Sequence, residues 1–315
     1  MATWKPIVAG VDPSPQAAKA AALAWHIAQA AETDCHFVHG AHALLQLPAM
    51  ADFMADIDML MERQLDGAKS RIDAVLQGVV PPTLLGQLEV RLGRGASVVT
   101  DAAREHDAGL IVLGGKHHTT LGRWMGGSTA HHVVRTTDIP LLVTGPKSGP
   151  ITRILVAADL SYAVRPTFEA AARIARLFSA DLRVLHAVEP MPVFAEMPMV
   201  MNEAAFYEDC KQQFERCLEP LLEEMPAQGV VRRGHAAEAL AAEAAEWDAD
   251  LVAVGSHGKG WVDRLLVGST TEQLLDQLPT SLLVIPVPAP AGERRPGRAA
   301  RRASRARRRA SPTVL

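Results

Sequence analysis

The chain repeats itself. Ile7-Val8-Ala9-Gly10-Val11-Asp12-Pro13-Ser14 aligns with Ile154-Leu155-Val156-Ala157-Ala158-Asp159-Leu160-Ser161, an offset of 147. The same offset pairs Asp34 with Asp181 and His39 with His186. Further along the offset is 141, pairing Gly93 with Gly234, Asp107 with Asp248, Gly114 with Gly255, and Gly127-Ser128 with Gly268-Ser269. The six-residue difference (147 − 141) falls in the middle of the unit, where the copies look least alike. A duplication of this length means that one structural unit is built twice, and 315 residues suit two domains.

Each copy reads strand, helix, strand, long helical segment, strand, helix, strand, glycine loop, helix, strand. The strands are short apolar runs bounded by polar residues and glycine, near 6–11, 35–41, 87–92, 109–114 and 140–144. In the second copy they fall near 153–158, 182–188, 229–233, 250–255 and 281–286. Strands that alternate with helices predict an α/β fold, with a parallel sheet covered on both faces and right-handed crossovers. Five strands per copy suit a doubly wound sheet, which binds ligands beyond the carboxyl ends of its strands where strand order reverses. Asp12 and Asp159 end the first strands, and the glycine loops follow the fourth. The copies join near Gly145-Pro146-Lys147-Ser148-Gly149-Pro150, a Gly/Pro-rich link with little slack.

The most informative loop is Gly255-Ser256-His257-Gly258, nine further residues, then Gly268-Ser269-Thr270. It lies between a strand and the helical pattern of Thr271–Leu278, where main-chain N–H groups and a helix start can hold an anion. Glycine tolerates positive φ and lets a ligand approach the backbone. The spacing is neither a Walker loop nor G-x-G-x-x-G.

This G-x2-G-x9-G-S pattern resembles the nucleotide-binding motif of the ATP-binding universal stress proteins, and the resemblance covers both copies. It implies two tandem doubly wound domains, each a five-stranded parallel sheet of order 3-2-1-4-5 with helices on both faces. The units span 1–147 with a degenerate motif and 150–288 with the intact one. It also implies that the units pair through their last strands, so that a tandem chain mimics a dimer internally. The cofactor implied is ATP, with or without Mg2+. Gly255, Gly258, Gly268 and Ser269 would surround the phosphates, with the amides of Gly268, Ser269 and Thr270 pointing at the anion. Asp159 would face the sugar or base, and Ala187 would meet the adenine through its backbone. Lys259, His257 and Arg264 could add positive charge.

Each of these residues also has a ligand-free reading. Ser269 and Glu272 form S-x-x-E, a capping box. Gly255 could serve only to turn the strand, and Asp159 only to cap the next helix or brace a turn. In the first copy His117 stands at the middle glycine position. If that residue must be left-handed, a side chain costs about 1–2 kcal/mol. Gly115 and Gly126 could allow a rearranged loop, and Ser128-Thr129-Ala130-His131 lacks the capping glutamate. The first copy is therefore expected to bind nucleotide weakly or not at all and to act as a packing partner. The pairs His117-His118 and His131-His132 read as solvated, since adjacent helical residues diverge and no acidic or Cys partner sits at ligand spacing.

No nucleophile–base pair, nicotinamide fingerprint or metal-directed carboxylate pair is evident from spacing. The leading expectation is a cytoplasmic stress-response protein whose ATP-bound and empty states are read by partners. The alternatives are a non-nucleotide dimerisation or interaction protein, and a slow ATPase, since some nucleotide-binding relatives hydrolyse ATP slowly.

Composition adds less. The N-terminus lacks the apolar stretch of a signal peptide and no run is long enough for a transmembrane helix. Cys35, Cys210 and Cys217 form no C-x-x-C, and the last two would share a helix face as free thiols. The methionines of 50–77 and 199–225 read as gap-fillers of a core or domain contact. Residues 291–315 hold nine Arg and one Glu, +8, against 23 bases and 34 acids, −11, in the rest. That tail reads as disordered, with non-specific polyanion contact as its one suggested use. Further homo-oligomerisation is left open.

Overall fold

A computed structural model gives the fold and describes residues 3–41, 54–118, 123–125, 127–147, 149–190, 203–223, 225–256 and 267–287. The Arg-rich tail and Gly258 lie outside the described residues, as do Lys259, His257 and Arg264.

The first half contains β1 (Ile7–Gly10), α1 (Pro15–Ala30), β2 (Cys35–Ala41), α2 (Met54–Leu76), α3 (Pro82–Gly86), β3 (Glu89–Leu92) and α4 (Gly95–Glu105). It continues with β4 (Leu110–Gly114), a hairpin of β5 (Lys116–His118) and β6 (Arg123–Met125), α5 (Gly127–Thr136) and β7 (Leu141–Thr144). The second half contains β8 (Arg153–Ala157), α6 (Val164–Phe178), β9 (Asp181–Val188), α7 (Glu203–Leu222), β10 (Gln228–Arg233) and α8 (Ala236–Glu246). It ends with β11 (Leu251–Gly255), α9 (Ser269–Gln277) and β12 (Ser281–Ile285). Helix α3 occupies the link between the long helix and the third strand in the first half. The corresponding link in the second half, 223–227, is shorter, which accounts for the change in repeat offset.

Ten strands form one sheet in the order β10-β9-β8-β11-β12-β7-β4-β1-β2-β3. Each half is parallel within itself and has the order 3-2-1-4-5. The halves meet where the last strands, β7 and β12, pair antiparallel with Leu142 opposite Leu283. Both strands are buried along their whole length, as the middle of a sheet covered on both faces requires.

Alternation along the strands feeds two cores. Ile7 and Ala9 face one side and Val8 the other. Leu142 and Leu283 join the first core, while Leu141, Val143, Leu282 and Val284 join the second. The first core is covered by α1, α2, α6 and α7, the second by α4, α5, α8 and α9. Both cores therefore run across the seam. Within the first core the halves exchange large and small residues. Ala21 and Phe37 of the first half correspond to Phe168 and Val184 of the second, all buried. Such swaps keep volume while changing identity.

Polar contacts also bridge the halves. Arg135 of α5 pairs with Glu272 of α9, and His131 Nε2 lies 3.1 Å from Asp276 Oδ1. His131 is thus a cross-seam partner rather than a solvated side chain. Lys147 pairs with Asp248, whose carboxyl it holds below the usual range, and the Arg173 guanidinium lies 4.3 Å from the Trp4 ring. The methionine reading fails at Met59, which is 52% exposed on α2; Met225 packs on the first core as expected.

Gly145 stands at the seam, its N–H donating to Ser281 Oγ at 3.2 Å. A Cβ there would lie 2.3 Å from the carbonyl carbon of Thr280 and 2.6 Å from the nitrogen of Ser281. Backbone cannot yield cheaply, so Gly145→Ala is expected to cost about 1–3 kcal/mol by urea denaturation. Gly86→Ala, where a Cβ would meet nothing within 4 Å, is the control and should change stability little. Equal midpoints for the two variants would contradict the close approach at the seam.

Candidate functional site

The two halves each open a crevice at the carboxyl ends of their first and fourth strands. The second-half crevice is a cavity of about 460 Å3. Asp159, Ala187, Gly255, Gly268, Ser269 and Thr270 all line it. They come from four places in the chain: the end of β8, β9, the end of β11 and the start of α9. Gly258, the remaining residue expected there, lies outside the described residues.

Asp159 follows β8 in a tight turn. Its Oδ1 accepts from the Ser161 amide at 3.0 Å and from the Ser161 hydroxyl at 2.7 Å. Ser161 Oγ in turn accepts from the Ala163 amide at 3.1 Å near the start of α6. The turn-bracing reading of Asp159 is thus satisfied by one oxygen. The other, Oδ2, is buried without a hydrogen-bond partner. Asp159 lines the cavity, and a buried carboxylate oxygen left unpaired is costly. Between Asp159 and Ser161, Leu160 is left-handed with φ 58°. For a bulky residue this costs about 1–2 kcal/mol. The first copy has Pro13 at the matching position, and proline excludes that conformation. The turn therefore differs between the halves at the mouth of the crevice.

The α9 end differs from the capping box. Helix α9 begins at Ser269 with Gly268 as N-cap and no side-chain capping bond. The box is not formed: Ser269 lies inside the helix rather than at the N-cap, and the Glu272 side chain reaches across the seam to Arg135. Gly268 has φ −59°, and Gly255 is not among the described residues with positive φ. Neither glycine adopts a left-handed turn. The Gly268 amide donates to Ser256 O at 2.9 Å. It is therefore spent on holding the loop and does not point at an anion. The amides of the first turn, from Ser269 onward, have no carbonyl partner inside the helix and carry the positive end of its dipole. Thr271 uses its hydroxyl to donate to Gly255 O at 2.9 Å, tying the helix start to the strand end. No Lys or Arg occurs among the described residues lining this cavity.

His186, on β9 beside Ala187, fixes the floor. Its Nδ1 lies 2.7 Å from Ala158 O, and because a carbonyl only accepts, Nδ1 carries the proton. His39 does the same toward Val11 O at 2.8 Å in the first half. The repeat pairs these two histidines, and their shared bond gives both a structural reason.

The first-half crevice is smaller, about 300 Å3. Gly40 corresponds to Ala187, and Gly95 to Ala236. A Cβ on Gly40 would lie 2.6 Å from the Gly95 Cα, so α4 sits directly against β2. The paired methyl groups of Ala187 and Ala236 leave no room for that approach, and the second cavity is wider. The loop at the degenerate motif has also changed. His117 is not left-handed but extended, paired with Trp124 in the β5–β6 hairpin.

Comparison with known proteins places the chain in a family. The universal stress protein family model matches residues 3–145 and again 150–286. The chain belongs to the universal stress protein family, a stress-response family, as a tandem repeat of its domain. It is 31% identical over 138 residues to a universal stress protein of Thermus aquaticus encoded in the QAH/OAS sulfhydrylase 3' region, covering 42% of this chain and 96% of that protein. Among solved structures it resembles a universal stress protein from Archaeoglobus fulgidus DSM 4304, with TM-score 0.59 and 16% identity, covering 89% of this chain and 98% of that one. A functionally unknown protein of Pseudomonas aeruginosa PAO1 is similar, at TM-score 0.59 and 17% identity, covering 90% and 92%. These likenesses carry the fold. Among the described residues no helix is long and apolar enough to cross a membrane.

Thiol chemistry offers a direct check on the cavity. Cys35 is buried, which pushes its thiol up to about 12, so it stays protonated in the folded chain at mildly alkaline pH. Cys210 is half-buried on the cavity wall. Iodoacetamide at about pH 8 should therefore label Cys210 in the native protein and leave Cys35 untouched until denaturant is added. Peptide mapping that finds Cys35 alkylated as fast in buffer as in urea would contradict the packing described.

Proposed function

We propose that the second half of this chain binds ATP, and that the protein acts as a nucleotide-dependent regulatory module whose liganded and empty states partners distinguish. The observation that carries the reading is the convergence on one cavity. Six residues singled out from the sequence, four by the glycine motif and two by family resemblance, line it, among them the first turn of a helix that no side chain caps and Asp159, one of whose oxygens is unpaired. The cavity volume is that of a small-molecule site. The first-turn amides of α9 suit phosphate oxygens, and Asp159 Oδ2 suits a hydroxyl or amino donor. Positive charge for a triphosphate beyond the helix start would come from Lys259 and Arg264, or from Mg2+.

The first half, with its narrower crevice and hairpin in place of the glycine turn, acts as the packing partner. The interaction-protein alternative is less well supported, because the edge implied for pairing is used up inside the chain by β7 and β12. ATP hydrolysis is tested separately by phosphate release.

Gly268→Asp separates binding from folding. Its φ of −59° suits any residue, and Asp is a better N-cap than Gly. Stability should be unchanged or raised by roughly a few tenths of a kcal/mol. The added carboxylate at the helix start should weaken ATP by at least about tenfold, the effect of about 1.4 kcal/mol of repulsion. Calorimetry on the folded variant that returns the wild-type ATP affinity would overturn the site.

A further inference from the structure

Outside the crevices, β2, β3 and the residue after α4 bring His36, Glu89 and His106 together at the outer edge of the first half. We propose that these three side chains form a binding site for a divalent transition-metal ion of the Zn2+ type. Their ligand atoms all lie within 4.8 Å of one another, and this is the one such group among the described residues. Sequence spacing hides it, since the three positions share no motif and meet only because β3 pairs with β2 and α4 ends beside them.

The donor set is two imidazoles and a carboxylate, the ligands that borderline metals such as Zn2+ prefer. His106 Nε2 is 2.8 Å from Glu89 Oε1, and the His36 and His106 rings stack with centroids 3.8 Å apart and planes 13° from parallel. Tetrahedral ligation at about 2.0–2.1 Å needs ligand atoms about 3.3 Å apart. The His106–Glu89 contact therefore opens only slightly, while the stacked rings fan apart to aim at one centre. Arg91 supplies the outer support. Its Nε donates to Glu89 Oε2 at 3.0 Å, and it also pairs with Glu105 at 2.8 Å. One carboxylate oxygen is thus held from outside and the other is left facing the imidazoles, the arrangement that orients metal ligands elsewhere. All three residues are half-buried.

The second half is an internal control. By the repeat offsets, His36 corresponds to Arg183, Glu89 to Val230 and His106 to Trp247. There the same corner is closed by charge pairing. Arg183 and Arg232 both bind the buried Glu243, and the Arg183 guanidinium lies 4.3 Å from the Trp247 ring. The second copy fills the corner with an Arg–Glu–Arg cluster, and the first with His36, Glu89 and His106 beside Arg91. The inference does not depend on the nucleotide reading.

The test uses the full chain stripped with chelator, titrated with Co2+ as a spectroscopic probe and with Zn2+ in competition. Wild type should bind one equivalent at this site, with d–d bands of a low-coordinate ion, and Zn2+ should raise its Tm. The double variant His36→Arg/His106→Trp installs the residues of the second half. It should lose at least about tenfold in affinity for that equivalent, while His131→Ala/His132→Ala binds as wild type. Glu89→Gln, close to isosteric, keeps the test decisive if the double variant does not fold, and should weaken binding likewise. Binding by His36→Arg/His106→Trp or Glu89→Gln with wild-type affinity and spectrum, or wild type that takes up no Co2+ or Zn2+, would overturn the proposal.

Discussion

The antiparallel pairing of β7 with β12 is the interaction on which the rest depends. Three residue pairs join two parallel sheets whose edges would otherwise be exposed, largely apolar strands. An open edge of that kind invites pairing with other chains. Here the duplicated partner supplies the pairing, and the cores on both faces become continuous across the seam. The crevices lie away from the seam, at the carboxyl ends of the first and fourth strands of each half. Each half can therefore diverge at its crevice without disturbing the contact that holds the molecule together.

Divergence is what the paired positions show. Gly40 and Gly95 close the first crevice, whereas Ala187 and Ala236 hold the second apart. Pro13 and a left-handed Leu160 give the two aspartate turns different shapes. The outer corner carries His36, Glu89 and His106 in one half and an Arg–Glu–Arg cluster in the other. Backbone topology is shared and the chemistry is not, which is how one fold comes to host unlike sites.

The strands were legible because each is a short apolar run closed by turn residues, and all ten sheet strands fall on the runs read from sequence. The family motif led to the second-half cavity because strand ends and a helix start are local features. What the sequence did not disclose depends on distant partners. The β5–β6 hairpin went unseen because Lys116-His117-His118 and Arg123-Trp124-Met125 carry no apolar alternation. Ser269 and Glu272 match a capping box, but Arg135, more than a hundred residues earlier, takes the glutamate. The Gly268 amide, which the family resemblance points at an anion, belongs to Ser256 O. His131, solvated by its local sequence, bonds Asp276. Apart from the hairpin, each is a contact of the folded chain that overrides a local pattern.

The most direct measurement is a crystal structure grown with saturating ATP. The account predicts nucleotide in the second-half cavity, with phosphates over the first turn of α9 and a donor on Asp159 Oδ2, and the first-half crevice empty. Nucleotide seated in the first half alone, or a second-half cavity filled by the protein's own side chains, would contradict it.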